Sequence, residues 1–291
     1  MTIPRTSPFA DAADGSVVTA RDAWRPAPAL RDAAPAAALR IRLDYDRLLD
    51  NGIFGFESLD ERAQPFALLR SMVLTRLGQI GGKVIAVTST QASNGKSFVS
   101  ANLAAALSQI HPVWLVDLDL QRPTAGKRFA LPTCAGADDF LLGQASLSEV
   151  GCVVEGSRLT ILPVRQGVNN SADLLASSRG TALFDQLRAL PDRPVCIIDT
   201  PPILEGDESI IVARQVDGVL LVIEEGQTRQ REVREALRML KPTALIGTVL
   251  NKSISPPMTS GGYRNGGYRR AVRQEIKLKA IAAPRDWSGE P

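Results

Sequence analysis

The chain has 291 residues, 44% of them hydrophobic and 22% charged, enough to bury one substantial core of roughly 200 residues and leave room for extensions at both ends. A formal charge of +3 is too small to argue for nucleic acid. The longest apolar runs, such as 216–223, fall far short of the ~20 residues that span a bilayer, and the first twenty residues lack the apolar centre of a secretory signal, so the expected location is the cytoplasm. Cys134, Cys152 and Cys196 form no C-x-x-C pair and are expected as reduced structural thiols, with no metal–cysteine site.

In chain order, residues 1–42 are rich in Ala, Pro, Asp and Arg with little periodicity, a composition expected of a disordered leader. Residues 43–82 form an N-terminal helical segment, with helical spacing over 61–78. From Lys83 to Ser253 the pattern alternates. Strands are expected at 84–87, 113–116, 159–163, 195–198, 219–223 and 246–250, and helices at 96–110, 172–190 and 228–240. That alternation predicts an α/β fold with a doubly wound, mostly parallel sheet. Residues 254–291, opening on Pro256-Pro257 and carrying Gly-Gly-Tyr twice, are expected to be a flexible basic tail. Its cations read first as a solvated end and second as a surface for anionic lipid headgroups or an acidic partner.

The chemistry sits at strand ends. Thr90-Gln91-Ala92-Ser93-Asn94-Gly95-Lys96-Ser97 follows an apolar strand and opens a helix, the position of a P-loop. Helix-start N–H groups donate to phosphate oxygens, Lys96 can reach the terminal ones and Ser97 can ligate Mg²⁺. Thr90 stands where the motif has its first glycine, which removes backbone freedom from the loop. A second strand delivers Asp117 and Asp119, alternate residues that point the same way, so both can approach one metal or one hydroxyl. A third ends in Asp199-Thr200-Pro201-Pro202, the Walker-B arrangement for Mg²⁺. His111 reads as a turn residue, Glu224 and Glu225 as a surface pair, and 228–240 as a helix with a charged outer face.

The D-x-D-L-x-R-P and D-T-P-P motifs, Asp207 eight residues beyond Asp199, and Asp217-Gly218-Val219-Leu220-Leu221-Val222 resemble the bacterial tyrosine kinases, the capsular-exopolysaccharide ATPases of the MinD/ParA-like P-loop group, over about residues 60–253. The resemblance implies ATP and Mg²⁺ as cofactors, a nucleotide site of Ser93, Asn94, Gly95, Lys96, Ser97 and Phe98, a metal site of Ser97, Asp117 and Asp199, and a catalytic set of Lys96, Asp117, Asp119 and Asp199. Within it Asp117 activates the attacking hydroxyl. Asn251 matches the position that reads the adenine in related ATPases; its plain alternative is a strand-terminal turn. The family's E-x-x-R-x-x-R, used for ring contacts, falls on Gln64, Ala67 and Arg70, so one residue of three is kept. Its tyrosine cluster is reduced to Tyr263 and Tyr268 as possible phosphoacceptors. Gln91 replaces the lysine of the partition and division-site relatives.

These readings give an ATP-dependent protein-tyrosine autokinase that regulates exopolysaccharide polymerisation and export. It is expected to sit at the inner face of the membrane through a membrane polysaccharide co-polymerase, as a homo-oligomer or ATP-dependent dimer, with no specific nucleic acid. A nucleotide-gated regulatory subunit without kinase activity is the first alternative, and a partition-type positioning ATPase the second.

Overall fold

Alternate residues of an extended strand face opposite ways, and the computed structural model, which describes residues 38–253, uses both faces of one eight-stranded sheet. The strands are β1 (Leu39–Ile41), β2 (Val84–Ser89), β3 (Val113–Asp117), β4 (Cys152–Val154), β5 (Leu159–Leu162), β6 (Val195–Asp199), β7 (Gly218–Glu224) and β8 (Leu245–Asn251). They lie in the order β1-β4-β5-β3-β6-β2-β7-β8, and every pairing is parallel except β4 with β5. Ile85, Val87, Leu115, Ile197 and Leu220 look into one core; Val84, Ala86, Val116, Ile198 and Leu221 look into the other. Two buried faces explain why these strands read as continuous apolar runs rather than alternating ones.

The first core is closed by the helix Lys96–Ser108, buried along its whole length, and by the helix Gln64–Ile80, whose Phe66, Leu69, Val73 and Leu77 form one inward stripe. Leu48, Ile53, Phe54 and Phe56 join the same core. The segment before the P-loop domain is therefore part of the domain's interior. The second core is covered by helices Ser178–Ala189, Glu208–Ala213 and Gln230–Leu240.

Three sequence expectations change. The leader expected over 1–42 gives up its last residues, because Leu39–Ile41 pairs in parallel with Cys152–Val154; each strand has only three residues, too few for a period-2 pattern to register. The helix expected over 172–190 is two, Ser171–Ala176 and Ser178–Ala189, since Ser177 is extended and its hydroxyl accepts the Gly180 N–H as an N-cap. The helical spacing over 61–78 resolves into a 3-10 turn, Glu61–Ala63, followed by a helix to Ile80. Residues 1–37, the basic tail, Tyr263 and Tyr268 lie outside the described residues.

Candidate functional site

Parallel sheets collect loops at the C-terminal ends of their strands, and here β2 lies between β6 and β7, with β3 beyond β6. Register puts Asp117 opposite Asp199 and Asp199 opposite Val87, five residues before Ala92 in the P-loop. Gly95 precedes the helix with φ of 92°, and a Cβ there would stand 2.0 Å from the Asn251 amide nitrogen. Both the left-handed backbone and the missing side chain are required at this position. The Thr90 that replaces the first glycine donates its hydroxyl to Asn94 Oδ1 (3.0 Å), which also accepts the Gln91 N–H (3.0 Å), so side-chain bonds shape the loop where backbone freedom is reduced.

Lys96 Nζ donates to Asp119 Oδ2 at 2.7 Å and lies 3.9 Å from Asp199 Oδ1. Burial alone would lower the ammonium pKa; the Asp199 and Asp119 carboxylates outweigh it and hold the lysine above its ordinary value. Asp199 is raised, chiefly by burial, against the pull of Lys96 and of hydrogen bonds from the Ser97 and Ser100 hydroxyls. Asp117 is fully enclosed. Its Oδ2 accepts the N–H groups of Thr124 (2.8 Å) and Ala125 (2.9 Å), and its Oδ1 accepts that of Asp119 (3.1 Å). Burial and the facing Asp199 push its carboxyl up to about 7 despite those bonds.

A cavity of about 700 Å³ opens over these strand ends. Ser93, Gly95, Lys96, Ser97, Asp119 and Asn251 are on its wall. Phe98 also faces it, held edge-on between Phe54 (6.3 Å) and Phe66 (5.7 Å), so this ring anchors the N-terminal segment to the P-loop helix. Asn94, Asp117 and Asp199 lie off the wall, behind the first layer. Asn251 is buried at the end of β8, where its side-chain amide donates to Asn94 O at 2.8 Å and clasps the loop.

Other residues were not legible as parts of the site. Glu224, expected as half of a surface pair, accepts Lys252 Nζ (3.0 Å) and Asn94 Nδ2 (3.3 Å), and Lys252 also donates to Ser93 O (2.8 Å). Glu205 Oε1 accepts the Ala92 N–H at 2.5 Å while its other oxygen pairs with Arg122, so a carboxylate already sits on one N–H of the loop. Asn102, buried in the P-loop helix, accepts the N–H groups of Phe54 (2.6 Å) and Gly55 (3.0 Å) and donates to Gly52 O (2.8 Å) and Phe98 O (3.0 Å). Sequence separations near 50 residues hide such pairings; the signal was the one asparagine of the helix, just before the apolar run 103–107. Arg70 donates to Ala106 O (3.1 Å) within its own chain. Two of the three thiols meet: Cys134 and Cys152, both free, bring their sulfurs to 3.2 Å because the loop after Phe129 returns to β4.

Among the described residues no cluster of three or more His, Cys, Asp or Glu forms a metal cage. A P-loop does not need one, since the hydroxyl of Ser97 and one or two carboxylates suffice when phosphate oxygens complete the shell. Ser97 on the wall and Asp199, hydrogen-bonded to it, fit that demand, with Lys96 offsetting part of the charge of Asp199 and Asp119; Asp117, expected in the same set, is enclosed with both oxygens on backbone N–H groups and does not reach the cavity. No described helix is long and apolar enough to cross a membrane.

A family model described as the CobQ/CobB/MinD/ParA nucleotide binding domain matches residues 85–261. The tyrosine-protein kinase CpsD of Streptococcus agalactiae is 30% identical over 196 residues, 66% of this chain and 85% of its own length. The tyrosine-protein kinase YwqD of Bacillus subtilis is 32% identical over 62% of this chain and 77% of its own. Among solved structures, the kinase domain of VpsO is 30% identical with a TM-score of 0.59, covering 71% of this chain and 96% of that one. The kinase domain of Escherichia coli ETK is 27% identical, also at 0.59, covering 69% and 78%.

Proposed function

Because the chain belongs to the CobQ/CobB/MinD/ParA nucleotide-binding family and, within it, to the bacterial tyrosine kinases, we propose that it is an ATP-dependent protein-tyrosine autokinase that regulates exopolysaccharide polymerisation and export together with a membrane co-polymerase. The observation that carries this reading is Lys96 lodged between Asp119 and Asp199 at the adjoining ends of β2, β3 and β6. A buried lysine paired with two carboxylates is poised to exchange them for phosphate oxygens once a nucleotide enters.

In this mechanism the backbone N–H groups at Gly95, Lys96 and Ser97 cradle the phosphates, and Lys96 steadies the terminal one. Mg²⁺, which Ser97 and Asp199 would hold, would supply charge neutralisation when bound. The family resemblance gives hydroxyl activation to Asp117, but that carboxyl lies off the wall with both oxygens on backbone N–H groups; in this reading Asp119, which reaches the cavity wall, takes the role instead, orienting an incoming hydroxyl and accepting its proton at Oδ2 once Lys96 turns to phosphate. Asp117, raised to about 7 and bound to three backbone N–H groups, fixes the strand end on which Asp119 sits.

The chain has three tyrosines. Tyr45 is packed edge-on against Phe56, and burial, with Glu57 nearby, pushes its phenol up to about 12, which suits a packing role. That leaves Tyr263 and Tyr268 as acceptors, reached between neighbouring copies at the inner face of the membrane.

The test is mass spectrometry for phosphotyrosine after incubation with Mg²⁺·ATP and the partner's cytoplasmic segment. Wild type should carry phosphate at Tyr263 or Tyr268, and Lys96→Met should carry none; unchanged phosphate in the variant overturns the reading. A second reading, a nucleotide-gated regulatory subunit, is favoured by the Glu205 carboxylate on the Ala92 N–H and by Thr90 in the loop. It predicts ATP binding by wild type without phosphotyrosine.

A further inference from the structure

Five side-chain nitrogen or oxygen atoms among the described residues are buried without a hydrogen-bond partner, and two of them, Thr124 Oγ1 and Arg128 Nε, belong to residues on the wall of the cavity that holds Lys96 and Ser97. A buried donor without a partner forfeits its solvation; both atoms are closed to solvent beneath the cavity wall, so a turn of either side chain that brings its donor to a ligand oxygen in the adjoining cavity is favoured. Thr124 and Arg128 are four residues apart around one helical turn, so they share a face. That turn is rigidly placed, because Asp117 accepts the N–H groups of Thr124 and Ala125 at its start and Asn51 Nδ2 donates to Lys127 O (3.2 Å) and Arg128 O (3.0 Å) at its end. Burial weighs against the Arg128 charge, while Asp199 and Asp117 sustain it.

We propose that Thr124 and Arg128 form a second phosphate-contacting ledge that holds the terminal phosphoryl group of the nucleotide and so distinguishes a triphosphate from a diphosphate. This rests on the P-loop reading above. Both side chains are donors; of the other cations on the wall, Arg62, Lys96, Arg122 and Lys252 are each paired with a carboxylate, whereas no ion pair holds Arg128 among the described residues, which leaves its charge for an incoming anion. The position along the nucleotide follows from the P-loop. Its backbone N–H groups take the inner phosphates and its lysine the outer ones. Asp119 stands at the tip of Lys96, 2.7 Å from Nζ, and Thr124 follows five residues later on the same rim. The ledge therefore borders the end of the site where the last phosphate lies. Arg128 Nη1, 3.4 Å from Asn51 O, holds only a long contact that a phosphate oxygen can replace.

The experiment measures the Kd of the full-length protein for ADP and for a non-hydrolysable ATP analogue with Mg²⁺, in wild type, Thr124→Val, Arg128→Gln and Arg128→Lys. The expected result is triphosphate affinity about tenfold or more weaker in Thr124→Val and Arg128→Gln, with ADP within about twofold of wild type and Arg128→Lys intermediate. Equal weakening for both nucleotides, or none, overturns the ledge. If Arg128→Gln fails to fold, as its thermal melt will reveal, Thr124→Val carries the test, since Oγ1 has no bond in the protein to lose. Wild type binding neither nucleotide would remove the P-loop reading and the ledge together; wild type preferring triphosphate while the variants keep that preference would remove the ledge alone.

Discussion

Asp117 and Asp119 are two residues apart on one strand end and have opposite surroundings. Asp117 faces Asp199 across the sheet with no solvent, so its carboxyl rises to about 7, whereas Asp119 meets the Lys96 ammonium and the cavity. The ordinary value for Asp117 is 3.8, so between there and about 7 the folded chain holds a proton that the unfolded chain has released. Its stabilising effect is complete below the lower value and is lost as pH rises through the upper one. The thermal midpoint of the nucleotide-free protein should therefore fall across that window, and Asp117→Asn should flatten the fall. A slope unchanged in the variant would mean that Asp117 is already ionised in the fold. Sequence placed both carboxylates at a strand end because a β-strand has period two; it could not separate their roles, because burial is set by the neighbouring strand and by the turn that folds back onto Asp117.

At the scale of elements, the P-loop helix is gripped from the side by a segment that the sequence presents as a separate helical lead-in. Asn102, fully buried, makes this grip with three hydrogen bonds to the segment, and the Phe54–Phe98–Phe66 contacts surround it. Asn102→Leu strands the N–H groups of Phe54 and Gly55 and the C=O of Gly52 at once, while Phe98 O keeps its helical bond. Denaturant unfolding should show a loss of about 2–4 kcal/mol with an unchanged m-value; a loss below about 0.5 kcal/mol would mean that water reaches these groups. The helix Lys96–Ser108 itself was legible, since glycine before it and an unbroken apolar run within it are local signals. The break at Ser177 was not, because serine is tolerated inside helices and becomes an N-cap only when the chain on either side is anchored.

Across the whole molecule, the two hydrophobic clusters divide the sheet into a face shared with residues 41–77 and a face covered by the later helices. A chain of residues 38–253 contains both clusters and should melt cooperatively. A chain of 83–253, the boundary that composition suggests, exposes the apolar surface left by Leu48, Phe54, Phe56 and Phe66, and should be recovered only as aggregate or as a non-cooperative species. Cooperative melting of the shorter chain would show that the N-terminal segment is an appendage.

The sequence by itself determined the class of fold, the strand ends near which Asp117, Asp119 and Asp199 lie, and the P-loop with Lys96 at the start of its helix, since each follows from periodicity or from a short contiguous motif. Tertiary structure alone decided the edge strand β1, the clasp of Asn251, Lys252 and Glu224 on the loop, the meeting of Cys134 with Cys152, and the ledge of Thr124 and Arg128. The physical reason is range. Local backbone preference and side-chain periodicity are written within a dozen residues, whereas burial, charge pairing and unpartnered donors arise only when segments 18 to 159 residues apart pack against each other.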